Sequence, residues 1–382
     1  MNKKIAFVFD GLNTGGIERV GIDYINMCIE AGYDVDVYNL KPKQNGLINQ
    51  LPHDVNYYDY NLSNNGCPET YSYGVHRWWW GKYIYALISP ILTIKQLFQK
   101  MIFKRKTYDV AIAFAGHIND LSFVGKNYIQ SNKKICWCHG TLISYLAICD
   151  AYAMLYKYFN TIVTLSEVEQ NHAYAGKEFL HHIDIKKIYN PTYILDRQLD
   201  YSKIDLLRNK YGKYILYVGR FDEGKGQDLA IEVMKLLAEC GLDEKIVFAG
   251  DGHTINSVKE MAKKYGVEDN CYFLGNIGDI ENYIEASYIN LLTSKAEGLP
   301  TVIVEAMSFG KPCVMTNCDC GEVSNKGEYC ILKDVDDASG LAEAVKRLYD
   351  DDEVYKKYSD LSFKRARAFD KNYIKAQFIK CL

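Results

Sequence analysis

Tyr214-Ile215-Leu216-Tyr217-Val218-Gly219-Arg220-Phe221-Asp222-Glu223-Gly224-Lys225-Gly226 is the stretch whose reading decides the fold. Its first five residues form a continuous apolar run without polar alternation. Such a run suits a strand of a parallel sheet covered on both faces. Glycines follow at once, and they allow tight turns and close approach of an anion to the backbone. Arg220 brings a planar guanidinium that can make forked hydrogen bonds to phosphate oxygens. Lys225 adds a mobile positive charge. A charged surface loop between a strand and a helix would read the same way, so the loop by itself leaves both readings open. It is not a P-loop, because no Gly-Lys-Ser/Thr ending follows.

A second apolar strand, Ile289–Leu292, leads to Glu297-Gly298-Leu299-Pro300-Thr301-Val302-Ile303-Val304-Glu305. Proline is favoured in the first turn of a helix, so a helix is expected to start at Pro300 or Thr301. Its unpaired amides and its dipole favour an anion in front of it. Glu297 on the loop can grip sugar hydroxyls, and Glu305, about one turn into the helix, can accept from ribose hydroxyls. A capping carboxylate and a solvated helix face are the plainer reading. Two such signals in order, at strand ends of one domain, outweigh it.

Strand-like runs alternate with helical patterns on both sides of these segments. In the second half they are Tyr214–Val218, Ile246–Ala249, Tyr272–Leu274, Tyr288–Leu292 and Cys313–Met315. In the first half they are Ile5–Phe9, Val35–Tyr38, Val110–Ala115, Ile135–Cys138, Ile162–Leu165 and Lys187–Tyr189. Ile17, Val20, Tyr24 and Cys28 recur at helical spacing between the first two, and Ala31-Gly32 ends that helix. This alternation predicts an α/β fold of two doubly wound parallel sheets. Pro191 and the polar residues after it mark the break. The expected domains are 1–195 and 196–365, with a C-terminal helix over 366–382. Open α/β sheets bind ligands beyond the carboxyl ends of their strands. The site is therefore expected in a cleft between the two domains.

With 382 residues, two or three domains are expected, each large enough for a core. A 24% charged fraction argues against global disorder, and a formal net charge of -3 gives no bias toward nucleic acid. The first apolar run is too short for a signal peptide, and no stretch offers ~20 uncharged apolar residues for a spanning helix. The twelve cysteines are scattered, so a reduced, cytoplasmic setting is expected. Cys136, Cys138 and His139 suggest a metal, as do Cys318 and Cys320, but neither pair has the spacing of a zinc knuckle. Buried strand cysteines are the preferred reading.

The two signals together resemble the retaining glycosyltransferase family 4 (group 1), which has the GT-B fold. The resemblance rests on Gly219, Arg220 and Lys225, and on Glu297 and Glu305. It extends to Gly250-Asp251-Gly252 and Phe273-Leu274-Gly275. In the first half it extends to Gly15-Gly16-Ile17-Glu18-Arg19, Cys138-His139-Gly140, Ser166-Glu167 and Asn190-Pro191. These markers span nearly the whole chain in the family's order. The resemblance implies that Arg220 and Lys225 hold the donor diphosphate. It implies that Glu297 contacts the transferred sugar with help from the Gly298, Leu299, Pro300 and Thr301 backbone, and that Glu305 holds the ribose. Gly275 and Asn276 would contact the base. Gly15 and Gly16 would let the backbone approach phosphate and sugar, and His139 would sit beside the anomeric centre. Read from the residues, Gly15-Gly16 is equally a plain helix-start turn; a strand-end histidine such as His139 is often only hydrogen-bonded structure, but its place at the expected cleft favours the functional reading.

Asp34-Val35-Asp36 and Asp334-Val335-Asp336 have the form of a metal-binding Asp-x-Asp, but neither occupies a family position. Arg220, Lys225 and helix amides can neutralise the leaving group, so transfer is expected without a metal or other cofactor. The resemblance implies a nucleotide-sugar donor, UDP before GDP. It also implies a hexose or N-acetylhexosamine moved with retention, and a saccharide or lipid-linked saccharide acceptor of polysaccharide or glycolipid assembly. A GT-B epimerase or phosphorylase, and a catalytically silent sugar-nucleotide-binding subunit, are the competing readings.

Residues 67–106 stand apart. They hold three of the four tryptophans, Trp78, Trp79 and Trp80, and seven Lys/Arg against one acid, Glu69. Aromatic and basic groups on an amphipathic segment suit an anionic membrane surface. Pro90 is expected to kink the helix. An insertion packed on its own domain is the other reading. The first would place the chain peripherally on the inner face of the plasma membrane.

Overall fold

The computed structural model describes residues 2–13, 15–62, 64–102, 106–140, 142–166, 178–318 and 321–382. They form two compact units. Met1–Tyr189 and Lys375–Leu382 make the first, and Asn190–Ile374 the second. Each unit holds one all-parallel sheet of the kind expected for GT-B, with helices alternating between strands.

The first sheet has seven strands. They are β1 (Lys4–Phe9), β2 (Asp34–Asn39), β3 (Asn56–Asp59), β4 (Thr107–Ala113), β5 (Gln130–Cys138), β6 (Thr161–Thr164) and β7 (Asp184–Lys187). Their order is β3-β2-β1-β4-β5-β6-β7, so the winding reverses between β1 and β4. There Phe7 lies opposite Ile112 and Val8 opposite Ala113. Helix α1 (Gly16–Glu30) ends at Ala31, with Gly32 at φ +78° beyond it. Helices α2 (Pro68–Arg77) and α3 (Gly81–Ile102) form a hairpin. A Cβ on Gly81 would fall onto the Gly74 carbonyl oxygen, so glycine permits this close crossing. Helix α3 runs on through Pro90, the position where a kink is expected. Helix α4 (Ile118–Gly125) follows β4.

The second sheet has six strands. They are β8 (Ile215–Val218), β9 (Ile246–Ala249), β10 (Cys271–Phe273), β11 (Ile289–Leu292), β12 (Cys313–Thr316) and β13 (Ile331–Lys333). Their order is β10-β9-β8-β11-β12-β13, with the reversal between β8 and β11. A Cβ on Gly226, at φ +77°, would fall onto the Thr293 carbonyl oxygen. Only glycine lets the β8 loop meet the end of β11 this closely.

Three edge strands depart from the sequence reading. The strand expected at Lys187–Tyr189 lies at Asp184–Lys187, and β3 and β13 were not anticipated. All three are half-exposed edges, so the continuous apolar run that marks a central strand is missing from them. The cysteines of β5, Cys136 and Cys138, are fully buried, and burial pushes both thiols up, Cys138 to about 12. Asp36 accepts from Tyr108 and Asn56 within the first sheet, and Asp336 pairs with Lys295 at 3.3 Å. Both Asp-x-Asp segments are thus tied into their own surroundings.

The C-terminal helix Lys371–Cys381 supplies Phe378 to the core of the first unit. Its ring lies 4.7 Å from Tyr24 and 5.9 Å from Trp137, and it is fully buried. Lys375 pairs with Glu30 at 2.6 Å, and Lys3 donates to the Leu382 carbonyl at 2.9 Å. Phe378→Ala is expected to lower the unfolding free energy by about 3–5 kcal/mol, from lost burial and the cavity left behind. Chemical denaturation measures this, and a loss below about 1 kcal/mol would contradict the packing described.

Candidate active site

In the second unit the reversal between β8 and β11 leaves a crevice at their carboxyl ends, where open α/β sheets hold ligands. The β8 loop is sewn to β11 by hydroxyls. Thr293 Oγ1 donates to the Gly226 carbonyl, Ser294 Oγ donates to the Lys225 carbonyl at 3.3 Å, and Tyr217 donates to that same carbonyl. Gln227 Nε2 donates to the Arg220 carbonyl at 2.7 Å. These bonds fix the loop backbone and leave its side chains to the crevice.

Lys225 Nζ lies 2.8 Å from Glu297 Oε1, and both side chains are mostly withdrawn from solvent. The pair joins the two segments that the sequence singled out. With Leu299, Pro300 and Thr301 it lines a cavity of about 150 Å3, to which Tyr217 and Gly219 also contribute. The helix Thr301–Ser308 begins there, with Pro300 at its cap. Its first-turn amides lack partners within the helix, and its dipole favours an anion in the cavity. Glu297 N donates to the Cys318 carbonyl at 2.7 Å, which anchors the loop.

Other predicted residues surround this centre without lining it. Arg220 is 77% exposed and pairs with Asp222 at 3.0 Å, and His253 approaches the other oxygen of Asp222 at 3.3 Å. An exposed pair of this kind holds its guanidinium weakly. Gly298 is half-buried on the loop, and Glu305 is half-buried one turn into the helix. Gly275, at φ +69°, accepts from the Gly250 amide at 2.8 Å, which sets the exposed Asn276 just beyond β10. Asp222 and His253 escaped the sequence reading, because nothing in their spacing linked them.

In the first unit, Gly15 caps α1 in an extended conformation, and Gly16 is its first residue. Space for a Cβ is open at Gly16. His139 follows β5. Its Nε2 lies 2.6 Å from the Phe114 carbonyl, which only accepts, so Nε2 carries the hydrogen. Loss of hydration pushes its pKa down to about 4, against a smaller opposing effect of that bond. The ring is therefore neutral near pH 7, with Nδ1 as its acceptor. Glu167, read as a further marker, lies outside the described residues.

A polar cluster not anticipated from sequence occupies the reversal between β1 and β4. Asp10 Oδ2 accepts from Lys41 at 2.9 Å and lies 3.0 Å from His117 Nδ1. Its Oδ1 accepts from Asn119 at 2.6 Å. Burial works to raise the Asp10 pKa, but the bonds from His117, Asn119 and Lys41 outweigh it and hold the carboxyl below its usual value. The bond to Asp10 in turn holds the His117 imidazolium above its usual range. Asp10 is visible at the end of β1, but its partners lie as far as 109 positions away.

Residues 202–365 match the family described as glycosyl transferases group 1. An uncharacterized glycosyltransferase of Haemophilus influenzae is 28% identical, with 94% of each chain covered. An N-acetylgalactosaminyltransferase of Campylobacter jejuni, named for a diphospho-undecaprenol acceptor, is 28% identical over 44% of this chain and 46% of its own. Anabaena HepE, solved in complex with UDP and glucose, superposes with a TM-score of 0.71 at 18% identity and covers 100% and 99% of the two chains. The fold is that of the GT-B glycosyltransferases. The match to group 1 glycosyl transferases thus lies in the second unit, and the similarity to a glycosyltransferase runs along nearly the whole chain.

The Asp10–His117 pair has a pH signature. The folded pKa of His117 is raised above its ordinary 6.5, so its stabilisation is complete below that value and is lost as pH rises through the folded value. Asp10→Asn is expected to cost more unfolding free energy at about pH 6 than at about pH 8.5. Equal costs at the two pH values in urea titrations would contradict the pairing.

Proposed function

We propose that this glycosyltransferase moves a hexose or N-acetylhexosamine from a nucleoside-diphosphate sugar, UDP before GDP, to a hydroxyl of a saccharide or lipid-linked saccharide. It acts as a family 4 enzyme with retention of configuration and without a divalent metal. The observation that carries this reading is the Lys225–Glu297 pair at the mouth of the Thr301 helix. Cation, carboxylate and helix amides meet there in one cavity, the combination that a sugar diphosphate calls for. The HepE complex with UDP and glucose supports the donor, and the Campylobacter jejuni relative's name supports a lipid-diphosphate acceptor.

As the bond from the anomeric carbon to the diphosphate breaks, charge builds on the leaving phosphate. Lys225, the first-turn amides and Arg220, released from Asp222, stabilise that charge. Glu297 spends Oε1 on orienting Lys225 and offers Oε2 to a sugar hydroxyl. His139, being neutral, positions donor-sugar hydroxyls through Nδ1 and does not act as a cation. Gly15 and Gly16 let the α1 terminus approach the donor. Glu305 takes the ribose, and Gly275 with Asn276 takes the base. The acceptor oxygen bonds the anomeric carbon, and its proton passes to the departing phosphate on the same face. A lipid-linked acceptor places the work at the inner face of the plasma membrane.

The test is turnover of nucleotide sugars with saccharide acceptors in excess chelator, with the product anomer read by NMR. Undiminished turnover and a product anomer matching the donor are expected. Loss of activity in chelator, restored by Mg2+, would overturn metal independence. An inverted product would overturn retention, and donor conversion without an acceptor would overturn transfer.

A further inference from the structure

Helix α3 is built inside out. Its inward face carries Ser89, Gln96, Gln99 and Lys100 beside Tyr85, Ile88 and Leu92. Gln96 and Lys100 are held there by their own unit. Gln96 donates to the Gly66 carbonyl at 3.1 Å and accepts from Lys126 at 3.0 Å, and Lys100 lies 5.3 Å from the Tyr128 ring centre. The outward face is the apolar one. Ile84, Leu87, Ile91, Ile94, Phe98 and Met101 follow one another at steps of three and four, which places them on one side of a helix. All but Ile84 expose more than half of their surface, and Met101 exposes 76%. A contiguous exposed apolar face rimmed by polar residues marks an interaction surface.

Three observations say what covers it. From Thr70 to Tyr108 the chain has no acidic residue and seven Lys/Arg. The nearest acid before this stretch, Glu69, is already paired with Lys126 at 2.7 Å. At 100° per residue, Lys95 stands at the border of the apolar arc beside Ile84, where its long stem can carry its charge up to a polar layer. At the α2–α3 turn Trp78 and Trp80 stack at 5.0 Å, and Trp79 is 84% exposed, as indoles are at a headgroup layer. No helix among the described residues is long and apolar enough to cross a membrane. A second copy of the chain would bring two such lysine-bordered seams together with no carboxylate on either helix to separate them.

We infer that the Ile84–Met101 face of α3 lies flat on a bilayer bearing anionic lipid, with Trp79 in the headgroup layer. The surface serves the lipid-linked acceptor of the proposed function, but its own test does not depend on transfer. The protein is floated with vesicles of phosphatidylcholine alone and with about 30% phosphatidylglycerol. Wild type is expected to float with the anionic vesicles, and less so at high salt. Leu87→Glu combined with Phe98→Glu should cut that fraction about tenfold or more, while thermal unfolding and turnover of a water-soluble acceptor stay unchanged. Lys95→Gln should weaken the preference for anionic lipid. Wild type that stays out of both vesicle types would overturn the inference. So would a wild-type dimer in sedimentation that the Leu87→Glu, Phe98→Glu chain converts to monomer.

Discussion

The winding of the second sheet reverses between β8 and β11, and the candidate site follows from that constraint. Two parallel strands side by side send their following loops apart, one to each face of the sheet. The gap between the loops must be closed from within the chain. Here Thr293 and Ser294 at the end of β11 hold the Lys225 and Gly226 carbonyls, and the missing side chain of Gly226 allows the contact. With the backbone held, Lys225 has one place to go, and Glu297 meets it there. Substituting Gly226 would therefore disturb a ligand site as well as a turn.

The Lys225–Glu297 pair costs desolvation as any half-buried ion pair does, and its net contribution to stability is small. Its value lies in geometry. Without a ligand, the carboxylate holds the ammonium in place beside the Thr301 helix. A diphosphate entering the cavity would find a cation already positioned and amides already aligned, so little reorganisation is needed. Arg220 is arranged differently. Its exposed pair with Asp222 keeps it near the mouth without fixing it, which suits a group that closes on a ligand after it arrives.

Most of this site was legible because it is local. A strand, a glycine loop and a helix start are adjacent in sequence, and their chemistry can be read from residue types. The central strands were legible too, since burial on both faces leaves an unbroken apolar run, as in Ile289–Leu292. The edge strands β3, β7 and β13 were missed or misplaced because one side of each is wet and the run is broken. The Asp10 cluster was illegible for another reason: it joins Asp10, Lys41, His117 and Asn119 from separate loops, and only the fold brings them together. Helix α3 marks a third limit. Its pattern announces an amphipathic helix, but not that an apolar face stays exposed while Gln96 turns inward.

The central claim is that the β8 and β11 loops hold a nucleoside diphosphate. The direct measurement is calorimetric titration of UDP and GDP, with the matching monophosphates as controls, into the wild type, Arg220→Ala and Lys225→Met. A ligand that binds only the folded state also raises its melting temperature, which gives an independent check. The account predicts that one diphosphate binds, and more tightly than its monophosphate. Each substitution should weaken it by about tenfold to a hundredfold, without loss of fold. Diphosphate binding that is unchanged in both variants would contradict the account, as would no binding by folded wild type.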